Sequence, residues 1–365
     1  MRKRSIFMKS IAVSAAMLMM AGCGSFGTGK SSDSSVPKDT AGEEKKETSG
    51  GETYTLKIGH TVSETDPTQL GYLHFKELIE EKSDGRIEVQ IFPNQSIAET
   101  DRDALEKVRD NTLQMANTMP GLFAGISNME EYYVWNIPYI YKSNEEMYKL
   151  AESDWMLELN EKFKETTGVR IIADASFNMG WYAFGTTKKD VPKLDDFKGL
   201  KIRINETPQQ IALVESIGIT PVFISFNEVY QACQQGMVDG MMTAQNLFYS
   251  NRYYEVLKSL KILKNGAAFH QYIVNEEWYQ SLPDDLRTVF DECVSEMTEY
   301  IREEEVTYTD KAMKALADEG MTVYEVTEEE TKVLEDACRT HIFPDKEAAL
   351  VDEQYINKAL EIVAQ

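Results

Sequence analysis

The chain has 365 residues and a formal net charge of −23, with 61 acidic against 38 basic side chains. That balance excludes nucleic acid and anionic membrane surfaces as partners for its body, and the length exceeds what one hydrophobic core usually organises, so two lobes are expected. Four cysteines (Cys23, Cys233, Cys293, Cys338) and four histidines (His60, His74, His270, His341) fall in no CxxC, HExxH or paired-ligand spacing, so nothing calls for a metal or other cofactor.

At the N-terminus, Arg2, Lys3, Arg4 and Lys9 precede an uncharged, almost wholly apolar run from Ile11 to Met20. The run is too short to span a bilayer and has the charge order of a signal peptide, expected over residues 1–22. Met20-Ala21-Gly22-Cys23 resembles the lipobox of bacterial lipoproteins, with Met20 where Leu is commoner. The resemblance implies that Cys23 is lipidated and anchors the protein to the outer side of the cytoplasmic membrane, at the cell surface or in the periplasm. The plain alternative is a buried N-terminal helix with an incidental cysteine. Residues 23–53 are rich in Gly, Ser, Thr, Lys and Glu and read as a flexible tether. Within it, Gly24 to Ser31 fits the phosphate-loop pattern by accident, since that mechanism needs a strand before the loop and a helix after it.

Strands and amphipathic helices then alternate. Tyr54 to Ile58 reads as a strand, and Thr68 to Lys82 as a helix with Leu70, Leu73, Leu78 and Ile79 facing a core, stopped by Ser83-Asp84-Gly85. Ile87, Val89 and Ile91 mark a strand, and Asp101 to Asp110 a helix presenting Ala104, Leu105 and Val108. Further strands are expected at Val169–Ala173 and Lys201–Ile204, and helices at Gln209–Ser216 and Phe226–Gln234. This order predicts an α/β fold with helices over a largely parallel sheet. From Asp284 to Glu319 there is no Gly or Pro, and Leu286, Phe290, Cys293, Met297, Tyr300 and Ile301 keep helical spacing. One very long helix, or two nearly continuous ones, is expected there, long enough to pack on both lobes. Cys233 and Cys293 sit in apolar helical patterns and read as buried thiols.

No nucleophile elbow or activated acid pair stands out. The informative segment is Asp196-Phe-Lys-Gly-Leu-Lys-Ile-Arg203, followed by Pro221, Phe226-Asn-Glu228-Val-Tyr230 and Gly236-Met-Val-Asp239-Gly240. A glycine turn feeds a short strand that ends in a guanidinium, a group suited to planar, bidentate recognition of a carboxylate. At the carboxyl end of a strand in an open α/β sheet it faces the crevice where ligands bind. An arginine paired with a surface aspartate fits the same spacing.

These segments, with Glu81 to Pro93 and Ile137-Pro138-Tyr139, resemble the DctP-type solute-binding proteins of tripartite ATP-independent periplasmic (TRAP) transporters, from Tyr54 to the long helix. The resemblance implies a two-lobed periplasmic-binding-protein-like α/β fold, with crossing strands and a long helix spanning both lobes. Lobe I is expected at 54–178 plus 270–309, and lobe II at 179–269 plus 310–365. It also implies that Arg203 grips a ligand carboxylate, that Phe226 packs on the ligand, and that Asp239-Gly240 shapes a turn. Thr243 stands where a polar Asn contact is common. The family often carries a second arginine in a Gly-x-Arg segment, where this chain reads Gly180-Trp181-Tyr182. A one-arginine pocket flanked by Trp181 and Tyr182 suits a monocarboxylate with a larger body (a sugar, keto or aromatic acid) better than succinate. His60, Thr61, His270 and Trp135 are further cleft candidates, each of which also reads as an ordinary packed residue.

The leading expectation is an extracytoplasmic, lipid-anchored protein, not an enzyme, that captures an organic acid for an ion-gradient-driven TRAP permease. A sensor or binding protein for a neutral or amine-bearing ligand on the same scaffold is the alternative, and a secreted lipoprotein hydrolase a more distant one.

Overall fold

The computed structural model describes residues 52–365; the signal segment, Cys23 and nearly all of the tether lie outside the described residues. Nine strands run β1 (Tyr54–Gly59), β2 (Ile87–Phe92), β3 (Met115–Thr118), β4 (Val169–Thr186), β5 (Lys201–Arg203), β6 (Thr220–Val222), β7 (Gly240–Ala244), β8 (Ser259–Asn275) and β9 (Thr322–Glu325). They form one sheet in the order β2-β1-β3-β8-β4-β7-β5-β6, with β9 beside β8.

The sheet has two halves. Pairing is parallel within β2-β1-β3 and within β7-β5-β6. It becomes antiparallel at β3–β8, β4–β8 and β4–β7. The largely parallel sheet expected from the alternation therefore holds inside each half and fails at the crossing. The reason is β4 and β8, which at 18 and 17 residues traverse both halves side by side. The strand expected at Val169–Ala173 is only the first part of β4. Register shifts between Ile172 and Ser176, and again between Asn178 and Ala183, bend this ribbon where it passes from one half to the other.

The helix Pro67–Lys82 starts on an Asp66 N-cap, whose side chain accepts from the Thr68 amide, with Pro67 in the first turn. It ends at Ser83, after which Asp84 and Gly85 take positive φ. Its buried face is Gln69, Tyr72, Phe75 and Ile79. Leu73 points to solvent and Leu70 and Leu78 are half-buried, so the core stripe is rotated from the leucine-based expectation toward the aromatic rings. Asp284–Asp318 is a single unbroken helix of 35 residues. Leu286, Phe290, Cys293, Met297 and Ile301 join Tyr72, Phe75 and the β1–β2 side chains in one core. Leu316, farther along, joins Ala183, Met241, Phe248 and Leu260 in a second. One helix thus packs on both halves, and the fold is the expected two-lobed α/β architecture.

The segment expected as a helix over Phe226–Gln234 opens as a 3-10 turn, Phe226–Glu228, before the α-helix Val229–Gln234. Asp239 accepts from the Lys201 amide through Oδ2, and its carbonyl accepts from the Thr186 and Thr187 hydroxyls. At Gly240 a Cβ would stand 2.1 Å from the Gly185 carbonyl oxygen, so only glycine lets β7 lie this close to β4. Cys233, Cys293 and Cys338 are free and buried.

Candidate functional site

The site forms where the carboxyl ends of β3 and β5 face each other across the crossing ribbon. Beyond β3 the chain turns at Pro120–Leu122; beyond β5 it runs through Asn205 into the helix Pro208–Ser216, capped by Thr207. Between them lies a cavity of about 160 Å³, floored by Asn265–Phe269 of β8 and walled by Trp135 and Tyr182. A void of about 150 Å³ holds a body of benzene size. The β8 floor is kinked: Lys264 takes φ 50 and Gly266 φ 149, and Tyr139 pins the kink by donating its amide to the Asn265 carbonyl and its hydroxyl to the Leu263 carbonyl. Trp135 is held by Phe269, with ring centroids 4.5 Å apart.

Arg203 ends β5 two residues before Asn205, which lines the cavity; Arg203, Phe226 and Thr243 are not among the lining residues. Arg203 is only 6 % exposed. Its Nε–H donates to the Ile224 carbonyl at 3.1 Å, and its guanidinium carbon lies 5.7 Å from the Phe226 ring centroid. Phe226 is half-buried and meets Tyr253 edge-on. Among the described residues no carboxylate lies within ion-pair distance of Arg203. Burial lowers its pKa, offset in part by Tyr253, and an arginine stays cationic through such a shift. Thr243, on the same face of β7 as Met241, the register partner of Arg203, is buried next along the strand. Arg203, Phe226 and Thr243 therefore gather on one side, and Trp135 and Tyr182 line the cavity.

His60, Thr61 and His270 form a third group at the ends of β1 and β3. Tyr72 donates to Asn117 Oδ1 at 3.0 Å, which turns the Asn117 amide nitrogen toward His270 Nδ1 at 2.7 Å. His270 Nε2 faces Asp101 Oδ2 at 3.7 Å, and the Thr61 hydroxyl donates to Asp101 Oδ1 at 3.0 Å. His60 bonds Gln69 at 2.7 Å and stacks on Tyr72. Burial lowers the pKa of both histidines, opposed at His60 by the Gln69 bond and at His270 by the Asp101 charge. Burial favours the neutral imidazole at both positions, and none of these three residues lines the cavity.

Trp181 points away from Tyr182, into a second cavity of about 120 Å³ with Asn178, Gln245, Arg302 and Glu305. A guanidinium thus does stand beside the Asn178–Trp181 segment, but the long helix brings it. Arg302 is engaged by Glu152 at 3.8 Å and by the Tyr148 ring, 3.8 Å from its centroid.

Reasoning from sequence missed Asn265, Asn205, Asp101 and Asn117. Asn265-Gly266 carried a signal, an Asn-Gly turn pair inside an apolar strand run. Asp101 carried none, since an acid opening a helix reads as a cap. Among the described residues no cluster has the make-up of a metal site.

The sequence matches the profile of the DctP family, bacterial extracellular solute-binding protein family 7, over residues 58–342. It is 30% identical to the C4-dicarboxylate-binding periplasmic protein DctP of Rhodobacter capsulatus over 288 residues, 78% of this chain and 84% of the relative. It is 23% identical to the 2,3-diketo-L-gulonate-binding periplasmic protein YiaO of Escherichia coli K12 over 288 residues, 79% of this chain and 85% of the relative. Among solved structures it is similar to a TRAP periplasmic solute-binding protein from Rhodobacter sphaeroides, with a TM-score of 0.74 and 26% identity, covering 85% of this chain and 99% of that one.

Proposed function

The chain belongs to the DctP family of bacterial extracellular solute-binding proteins, and from that membership we propose that it captures an organic acid outside the cytoplasmic membrane and delivers it to an ion-gradient-driven TRAP permease. The observation that carries this reading is Arg203: a buried cation with no carboxylate partner among the described residues, at the tip of the strand whose following loop lines a cavity between two sheet halves. An uncompensated buried charge is costly, and a ligand carboxylate supplies the missing partner. The acid group sits on Arg203, with Phe226 and Thr243 at its sides, and the rest of the ligand enters the cavity by Trp135 and Tyr182.

Capture needs no chemistry. Micromolar binding corresponds to about 8 kcal/mol, within reach of one desolvated charge pair and an aromatic-lined pocket. The ligand leaves unchanged, so the protein is a carrier and not an enzyme. Closing of the lobes, 54–178 plus 270–309 on 179–269 plus 310–365, is driven by contacts that exist only when both reach the ligand. The lipobox-like Met20 to Cys23 places the carrier on a lipid anchor, with residues 23–53 as its leash.

The relatives named above span a C4-dicarboxylate binder and a sugar-acid binder. Tyr182 in place of a second arginine favours the larger, singly charged acid. A thermal-shift screen of carboxylic acids, each beside its neutral primary amide, tests the reading. At 100 times its dissociation constant a ligand stabilises by about 2.7 kcal/mol; the acid should do so and its amide should not. Equal stabilisation by an amide would favour the neutral-ligand alternative.

A further inference from the structure

Two polar atoms in the cavity have no partner. The Trp135 indole N–H and the Asn265 side-chain oxygen are buried without a hydrogen bond, in residues 7 % and 3 % exposed that both line the space. Such groups are rare in folded proteins and costly to leave unmade. One is a donor and the other an acceptor, the complement of a hydroxyl, which offers one of each.

Both are held in place. The Trp135 ring is wedged against Phe269 and Tyr141. Asn265 rides the strand kink that Tyr139 fixes, and at Gly266 the left-handed backbone turns the floor toward Tyr182, whose ring a Cβ there would meet at 3.7 Å. None of the lining residues is charged, so the cavity is built for the neutral part of a ligand and leaves the carboxylate to Arg203. The lining combines aromatic faces, Trp135, Tyr182 and Phe269, with the side-chain amides of Asn136, Asn205 and Asn265. Flat apolar faces interleaved with amides match the alternating C–H and O–H surface of a polyol.

We propose that Trp135 and Asn265 are the specificity-determining pair of this protein, reading a hydroxyl on the body of the ligand, so that its ligand class is the hydroxy acids, and polyhydroxy acids above all. The proposal rests on the acid-capture reading and adds what the cavity selects. A site built to bond a hydroxyl discriminates sharply against the analogue that lacks it, because its own buried groups are then left unpaired.

The test is calorimetric titration with acid pairs that share a carbon chain and differ only in hydroxyls: glycerate with propionate, threonate with butyrate, gluconate with hexanoate. At least one hydroxy acid should bind the wild-type protein ten- to a hundredfold more tightly than its counterpart. Trp135→Phe keeps the ring and removes the N–H; Asn265→Leu keeps the volume and removes the acceptor. Each should cut that preference, the ratio of hydroxy-acid to plain-acid affinity within one protein, roughly tenfold. Melting curves of the two variants check that each is folded, and either one suffices. An unchanged preference in a folded variant, or plain acids binding as well as hydroxy acids, overturns the proposal; so does binding of none of the six. Arg203→Met separates the two readings. If it spares affinity while the hydroxyl preference survives, carboxylate capture fails and the pair stands. If it abolishes affinity while Trp135→Phe and Asn265→Leu do nothing, the reverse holds.

Discussion

Arg203 is anchored by one hydrogen bond to Ile224 and by the Phe226 face, and among the described residues no carboxylate neutralises its largely buried side chain. A side chain in that state is poor for stability and good for binding. Arg203→Met, which fills the space without the charge, should therefore raise the melting temperature of the ligand-free protein, by the equivalent of about 1 kcal/mol. Calorimetric melting of the two proteins without ligand measures it, and a lower temperature in the variant would mean that the arginine serves the fold. This residue was legible in the sequence because Lys-Ile-Arg after a glycine turn places a guanidinium at a strand tip. His60 and His270 were legible as residues near the site but not as what they are. Their surroundings depend on Gln69 for His60 and on Asn117 and Asp101 for His270, and the His270 partners, far away in sequence, leave no trace in local spacing.

At the scale of elements, Glu305 on the long helix is buried 5 % exposed against Asn246 of the helix Gln245–Ser250. Burial pushes its pKa well above the ordinary carboxyl range, reinforced by Asp66 at the start of the helix Pro67–Lys82; the Asn246 bond opposes. Arg302, one turn away, lines the same cavity. The sign follows from proton binding. Between the ordinary carboxyl pKa and the raised folded value the folded chain holds a proton that the unfolded chain has released. The stabilising contribution is thus complete below the ordinary value and is lost as the pH climbs through the folded one. Glu305→Gln, which cannot ionise and can still accept from Asn246, should match the wild type near pH 4 and melt a few degrees higher at pH 7 to 8. Urea midpoints across that range check it; parallel pH profiles would show that Glu305 is ionised in the fold. The long helix itself was plain from its unbroken spacing and absence of Gly and Pro. The length of β4 was not: the pairing that extends it to Thr186 comes from β8, some eighty residues on, and neither strand shows its partner.

For the whole molecule, the sheet order explains how one chain makes a carrier. β8 pairs with β3 of one half and β4 with β7 of the other, the two long strands pair with each other between them, and the helix Asp284–Asp318 packs on each half. The β4 bulges and the Lys264–Gly266 kink both lie in this connecting ribbon. The C-terminal helices tie in as well. Glu328–His341 packs on the helix Pro208–Ser216, and Glu353–Ala364 on Asn144–Ala151, a bracing that no motif announced. The protein carries a net charge of −23, yet buries Arg203 without a carboxylate partner among the described residues, a local inversion of charge that suits capture of an anion by so acidic a molecule. The most direct test is isothermal titration of the acid that best stabilises the wild-type protein into wild-type and Arg203→Met protein under identical buffer. Affinity should fall at least a hundredfold in the variant, the equivalent of about 3 kcal/mol for a lost buried charge pair. Equal affinity in the two proteins would contradict carboxylate capture by Arg203.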